Sequence, residues 1–153
     1  MTAKYTADQV ADAILAFCAD HGDYVSNLRL QKLLYYSQGW YLAEHEEPLF
    51  DDPIEAWVYG PAVPAVYERF RRFGQRPLES DVKLDDLPPE LVEHVKGVWE
   101  AYGHLTSYDL EMISKAEDPW LIARNGLPID EPSPHPLSND VMKRYFAAKW
   151  SHA

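Results

Sequence analysis

The stretch LRLQKLLYYSQGWYLAEH, residues 28–45, constrains the fold more than any other part of the sequence. Apolar and small side chains recur in it at three- and four-residue spacing, namely Leu30, Leu33, Leu34, Ser37, Trp40 and Tyr41. This spacing places them on one side of an α-helix, and Ser26 or Asn27 can cap its first turn. Gly39 costs about 1 kcal/mol relative to alanine in a helix interior, so it indicates that a neighbouring backbone or ring packs close there.

Similar patterns predict further helices before and after this one. Thr6 followed by Gln9 forms a capping box, which opens a first helix that runs to about His21. The later helices are expected around residues 64–73, 91–102, 119–125 and 138–150, and one more is expected to begin at Thr106. Alternating side chains from Ile54 to Tyr59 predict one short β element. The expected fold is mainly α, one compact domain over residues 1–153, with about six to seven helices and a small β element near residues 54–59.

Composition and charge narrow the function classes. The 153 residues are 46% hydrophobic, which is typical of a folded chain. A formal net charge of −11 repels phosphate backbones and anionic lipids, so we expect no direct nucleic-acid or membrane partner. A basic protein would complement this surface. The acidic N-terminal region does not resemble a secretory signal, and a cytoplasmic protein is expected.

The usual signatures of catalysis and of bound cofactors do not occur in the sequence. The segment YGPAVP has one glycine and two prolines, whereas a phosphate-binding loop needs several glycines and a lysine. The six histidines lack the spacing of a zinc site, and no G-x-S-x-G elbow is present. Cys18, the only cysteine, lies on the apolar side of the first helix. We therefore expect a binding protein without catalytic residues, metal or cofactor.

Three motifs together resemble the Panacea domain, the SocA-like family that also includes phage-associated GepA-like proteins. They are LQKLLYY (Leu30–Tyr36), QGW (Gln38–Trp40) and IEAWVYGPAVPAVY (Ile54–Tyr67), and the likeness continues through EDPW at residues 117–120. Ser114 and Lys115 stand where the family often has a Thr-His pair. The resemblance implies an antitoxin of a bacterial or prophage toxin–antitoxin system. Such an antitoxin would bind a toxin encoded beside it, either blocking it or presenting it to the ClpXP protease.

The candidate partner-binding residues come from these motifs and from the arginines after them: Gln31, Tyr35, Gln38, Trp57, Tyr59, Gly60, Pro61, Pro64, Arg69 and Arg72. Gln31, Tyr35 and Gln38 lie one helical turn apart, where they can point outward or form a buried polar network against the strand. The aromatic and proline residues can serve the fold or a recurrent contact surface. The arginines can clamp an acidic partner or lie on a solvated helix face. A different hypothesis is a ligand-binding or hydrolytic pocket near Gln31, Tyr35, Tyr59 and Arg69, together with Trp120.

Overall fold

Helix α2 (Asn27–His45) lies at the centre of the molecule and packs against most of the other elements. The computed structural model describes residues 3–151, and over that range it contains seven α-helices and one two-stranded antiparallel sheet. The remaining elements are α1 (Ala7–Asp20), β1 (Glu55–Trp57), β2 (Gly60–Ala62), α3 (Pro64–Arg69), α4 (Pro89–Tyr102), α5 (Ser107–Ser114), α6 (Asp118–Arg124) and α7 (Asn139–Ser151). The predicted mainly α domain with one small β element is confirmed.

The close approach predicted at Gly39 is made by the last helix. Helix α7 crosses α2, and the ring of Phe146 lies where a Cβ of Gly39 would be. Phe146 is itself buried and also contacts Tyr35, Tyr36 and Trp40 edge-on or tilted. Glycine is therefore required at position 39, because any side chain would displace this ring.

Local sequence signals explain where several helices begin. The Thr6 hydroxyl accepts from the backbone N–H of Gln9 while the Gln9 side chain accepts from the Thr6 N–H, so the capping box forms as predicted. Ser26 caps α2 in the same way through the N–H of Arg29. Helix α6 starts one residue earlier than predicted, since Glu117 rather than Asp118 occupies the N-cap position. No helix in the part of the chain that the structure describes is both long and apolar enough to cross a bilayer.

The β element is a hairpin rather than the single short strand suggested by alternation. Strand β1 pairs with β2 in the register Glu55–Ala62, Ala56–Pro61 and Trp57–Gly60, which leaves Val58 and Tyr59 as the turn. The other edge of β1 is covered by a proline-rich loop at residues 127–138, where the N–H of Ala56 donates to the carbonyl of His135 (2.9 Å). The sequence missed β2 because glycine and proline normally mark turns, whereas here Gly60 and Pro61 lie in the short second strand.

The helix expected up to Gly74 is shorter than predicted. Helix α3 starts at Pro64, as expected of a first-turn proline, but it ends at Arg69 and continues as a 3₁₀ turn at Arg71–Phe73. The guanidinium of Arg76 donates to the carbonyls of Arg72 and Phe73 and so satisfies acceptors at this helix end. Apolar spacing alone does not reveal such a side-chain cap.

Candidate functional site

Two glutamines of α2 tie the helix to the loops around it from inside the molecule. The side-chain oxygen of Gln31 accepts from the N–H of Val63 (2.8 Å), and its amide donates to Asn27 (3.0 Å). Gln38 accepts from the N–H of Leu49 (2.7 Å) and donates to the carbonyl of Phe50 (2.7 Å). Both side chains are buried. They replace water for backbone groups that would otherwise be unsatisfied.

Glu117 is the centre of a second buried polar group, which we call the Glu117 hub. Its Oε1 accepts from the hydroxyls of Tyr35 (2.9 Å) and Tyr36 (3.1 Å), both on α2. The Lys149 ammonium on α7 lies 3.6 Å from Oε2. Burial raises the pKa of Glu117, while the tyrosine hydroxyls and Lys149 act in the opposite direction. The hub thus connects the start of α6 to α2 and α7.

Lys32 is buried beneath the hairpin. Its side chain is packed so closely that its Cε lies 2.8 Å from the position a Cβ of Gly60 would take. Gly60 also has φ of +100°, a conformation that other residues rarely adopt. Burial lowers the pKa of Lys32 to about 7, with Glu111 acting in the opposite direction. Close packing on Lys32 and the positive φ therefore both require glycine at position 60.

Side chains of α6 hold the opposite side of the hairpin. The indole N–H of Trp120 donates to the carbonyl of Trp57 (2.9 Å). Arg124 is buried and donates to the carbonyls of Ala56 and Pro128. Its guanidinium also lies 5.0 Å from the centre of the Trp120 ring. The EDPW segment and the hairpin therefore form one packed unit.

Helices α5 and α6 expose large apolar side chains that the core does not use. Five residues make up what we call the α5–α6 surface, with exposed fractions from 39% to 68%: Tyr108, Met112, Ile113, Leu121 and Ile122. Both helices contact the hairpin, whose turn exposes Tyr59 (58%). Aromatic residues and methionine are enriched at protein interfaces, and clustered exposed apolar side chains often mark them.

Two comparisons agree on what the chain is similar to. The profile of the family described as "Antitoxin SocA-like, Panacea domain" matches residues 30–121. Antitoxin SocA of Caulobacter vibrioides (strain NA1000 / CB15N) is 33% identical over 134 residues, covering 78% of this chain and 71% of that protein. This chain belongs to the SocA-like antitoxin family. No solved structure matches it significantly.

Most of the family motif residues predicted as partner contacts lie inside the molecule. Gln31, Tyr35 and Gln38 are buried, so the buried-network interpretation holds and their side chains are not accessible on the surface of the folded domain. Gly60 and Pro61 are buried in β2. Outward presentation was wrong for the three α2 residues because their polar atoms find partners in the loops and in Glu117, which compensates for their burial.

The other predicted contacts differ in exposure. Trp57 is half-buried with its ring against Tyr67, and Pro64 is half-buried at the start of α3. Tyr59 is exposed at the hairpin turn. Arg69 pairs with Asp12 (2.7 Å) and Asp8 (3.3 Å) on α1, and Arg72 lies over the ring of Phe73. Of these residues, Tyr59 and Arg72 present the most accessible side chains for a partner.

The structure does not support a shared ligand pocket at the residues proposed for it. The Gln31 side chain is hydrogen-bonded to Val63 and Asn27. Arg69 forms ion pairs with the acids of α1, and Tyr59 is exposed to solvent. Across residues 3–150, no group of three or more His, Cys, Asp and Glu side chains is arranged to hold a metal ion. The residues proposed for the pocket do not converge on one site.

Sequence reasoning missed Lys32, Glu117 and Arg124 as structural centres. The signal for Glu117 was present, because EDPW places a carboxylate immediately before a proline-started helix. That pattern was interpreted as a helix start and as part of the family resemblance, not as a buried polar centre. The tyrosine partners of Glu117 are about 80 residues away in sequence, and no spacing rule identifies them.

Proposed function

We propose that this chain is the antitoxin of a bacterial or prophage toxin–antitoxin pair and neutralises its toxin by direct protein–protein binding in the cytoplasm. The family assignment is the observation that carries this proposal. The interior supports it, because the polar motif residues are engaged in holding helices together. What remains available for function is therefore the surface.

The proposed contact comprises the α5–α6 surface together with Tyr59. Its apolar side chains are exposed on two short helices. Helix α6 is fixed by the Glu117 hub and by the hairpin contacts of Trp120 and Arg124, and α5 packs on α2 and β2. A rigid support lowers the entropy lost when side chains are immobilised on binding. Tyrosine and isoleucine side chains would form the dehydrated centre of such an interface.

The charge of the chain favours a basic toxin. The net charge is −11, and Asp109, Glu111 and Asp118 accompany the apolar residues on α5 and α6. Lys115, the one lysine between these helices, pairs with Glu111 at 3.1 Å. An acidic border around an apolar centre accelerates encounter with a cationic partner. Added salt screens this attraction and therefore slows the encounter. The same charge disfavours direct binding to nucleic acid.

The test is co-expression with the product of the adjacent gene, followed by growth measurement and copurification. Wild-type protein is expected to restore growth and to copurify with the toxin. Tyr108→Lys should abolish both, because it places a charged side chain at the centre of the contact. Tyr24→Lys is the matched control, since Tyr24 (67% exposed) and Tyr108 (68%) are equally accessible but Tyr24 lies between α1 and α2. Loss with both variants, or with neither, would contradict the proposed surface.

Neutralisation by blocking and delivery to ClpXP are separable. We propose blocking as the primary mode, because the exposed apolar surface offers area for a stable complex. Growth rescue in a strain without ClpX is expected to persist, and the toxin should accumulate in the complex. If rescue fails there and the toxin is degraded in the parent strain, the chain acts as a proteolytic adaptor instead.

A further inference from the structure

A groove of about 760 Å³ lies between α2, α4 and the end of α7, and it shares no residue with the α5–α6 surface. Its apolar walls are Trp40 of α2, Val98 of α4 and Trp150 of α7. Trp150 is 52% exposed although it follows the apolar spacing of α7. The structure leaves the Trp150 ring partly open to solvent at the groove.

The groove has a shape that a further helix packed against α4 would fill. Its lining residues on α4 recur at three- and four-residue spacing from Glu90 to Ala101, which corresponds to about 16 Å along the helix axis. Gly97 and Ala101 lie one turn apart in the C-terminal part of this stripe. A Cβ added at Gly97 would meet nothing within 4 Å. Small side chains flanked by tryptophans let the backbone of another helix approach closely.

The fixed charges that line the groove have one sign. Glu44, Glu90 and Glu93 line it and are accessible to solvent. Glu90 stays ionised, because hydrogen bonds from the backbone and from the Tyr5 hydroxyl lower its pKa. Burial lowers the pKa of His94, so this imidazole adds no positive charge at neutral pH. His45 is the second imidazole of the lining.

We propose that this groove is a second docking site and that its occupant is a basic amphipathic helix of a protein partner. The apolar face of that helix packs on Trp40, Val98 and Trp150, with its backbone close to Gly97. Lysine or arginine side chains along its borders pair with Glu44, Glu90 and Glu93. Helix-in-groove recognition of this kind depends on apolar anchors at helical spacing, and the charges select the partner. The domain then presents two separate docking faces.

The test uses the purified full chain and a synthetic helical peptide of about 16 residues, with leucine on one face and lysine on the others. The control peptide has glutamate in place of every lysine. Titration is expected to show binding of the basic peptide, weakened by salt, and at least about tenfold weaker binding of the acidic one. The indole N–H signals of Trp40 and Trp150 should shift in NMR spectra on addition of the basic peptide.

Two pairs of variants locate the site. Gly97→Leu fills the groove and should weaken binding by about tenfold or more, whereas Gly97→Ala should stay within about threefold. Glu93→Lys should weaken binding by about fivefold or more, and Asp81→Lys, with the same charge change outside the groove, by less than about twofold. Thermal unfolding of each variant checks that the fold is intact.

The proposal is overturned if neither peptide binds, if both bind equally, or if the groove variants leave binding unchanged. It is also overturned if Tyr108→Lys, on the other face, removes peptide binding while Gly97→Leu does not. None of these outcomes affects the test of the toxin-binding surface, because growth rescue is measured without the peptide. The two proposals therefore fail independently.

Discussion

Helix α2 and the α5–α6 pair differ in which side chains they bury and which they expose. Helix α2 buries Gln31, Lys32 and Gln38 at the centre of the molecule, whereas α5 and α6 leave tyrosine, methionine and isoleucine side chains in solvent. In α2 each glutamine bonds to backbone groups of a neighbouring loop, and the neighbouring tyrosines bond to Glu117. The comparison teaches that the motif-rich helix builds the scaffold, while α5 and α6 carry the surface that we propose for toxin binding.

Removing the carboxylate of the Glu117 hub should have the largest effect on the α2 side. Glu117→Ala leaves the buried hydroxyls of Tyr35 and Tyr36 without their acceptor, and each unsatisfied group costs about 1 to 3 kcal/mol. The free energy of unfolding is expected to fall by about 2 to 5 kcal/mol in urea titrations. Glu117→Gln keeps an oxygen acceptor and should cost clearly less. Equal losses in the two variants would show that the hydroxyls do not depend on this acceptor.

The buried amine of Lys32 predicts a pH effect with a definite sign. Folding lowers its pKa from 10.5 to about 7, so between these values the unfolded chain holds more protons than the folded chain. Raising the pH across this window therefore stabilises the folded state, and the cost of burying the charge is complete only below about pH 7. The reference variant is Lys32→Met, which lacks the titrating group.

The unfolding free energy of the wild type relative to Lys32→Met should increase by on the order of 2 kcal/mol from neutral pH to about pH 9. Urea titrations of both proteins at each pH provide the measurement. A difference that is constant with pH, or that decreases, would show that Lys32 does not lose its proton in the folded protein.

The two helical glycines separate a packed position from an open one. Gly39→Ala pushes against the ring of Phe146 and is expected to destabilise the fold by about 1 to 3 kcal/mol. Gly97→Ala meets no atom within 4 Å and should stabilise it by up to about 1 kcal/mol, because alanine favours helix. Thermal denaturation of the two variants distinguishes them. Changes of the same sign in the two melting temperatures would contradict the assignment of Gly39 to a packed position and Gly97 to an open one.

The smallest stability effect is expected on the α5–α6 surface. Tyr108→Lys changes an exposed side chain with no hydrogen-bond role in the core, so its unfolding free energy should stay within about 0.5 kcal/mol of the wild type. Tyr24→Lys should behave in the same way. A loss of stability as large as that of Glu117→Ala would mean that Tyr108 supports the fold, and its effect on toxin binding would then be indirect.

The sequence predicted features that depend on neighbours along the chain. The capping box at Thr6 and Gln9, the proline start of α3 and the close contact at Gly39 follow from local geometry, and all three are found. The contacts of Glu117 and Lys32 depend on which helices meet, which spacing along the chain does not encode. The same limit explains why Gln31, Tyr35 and Gln38 could be assigned to one helix face before their burial was known.

The most direct measurement is quantitative growth rescue combined with recovery of the complex, at graded ratios of antitoxin to toxin. A protein that works by binding should rescue only when it at least matches the toxin in amount, and the two should copurify at a fixed ratio. Tyr108→Lys should remove rescue and complex together, while Tyr24→Lys retains both. Rescue by antitoxin far below the amount of toxin, with no complex recovered, would contradict neutralisation by direct binding.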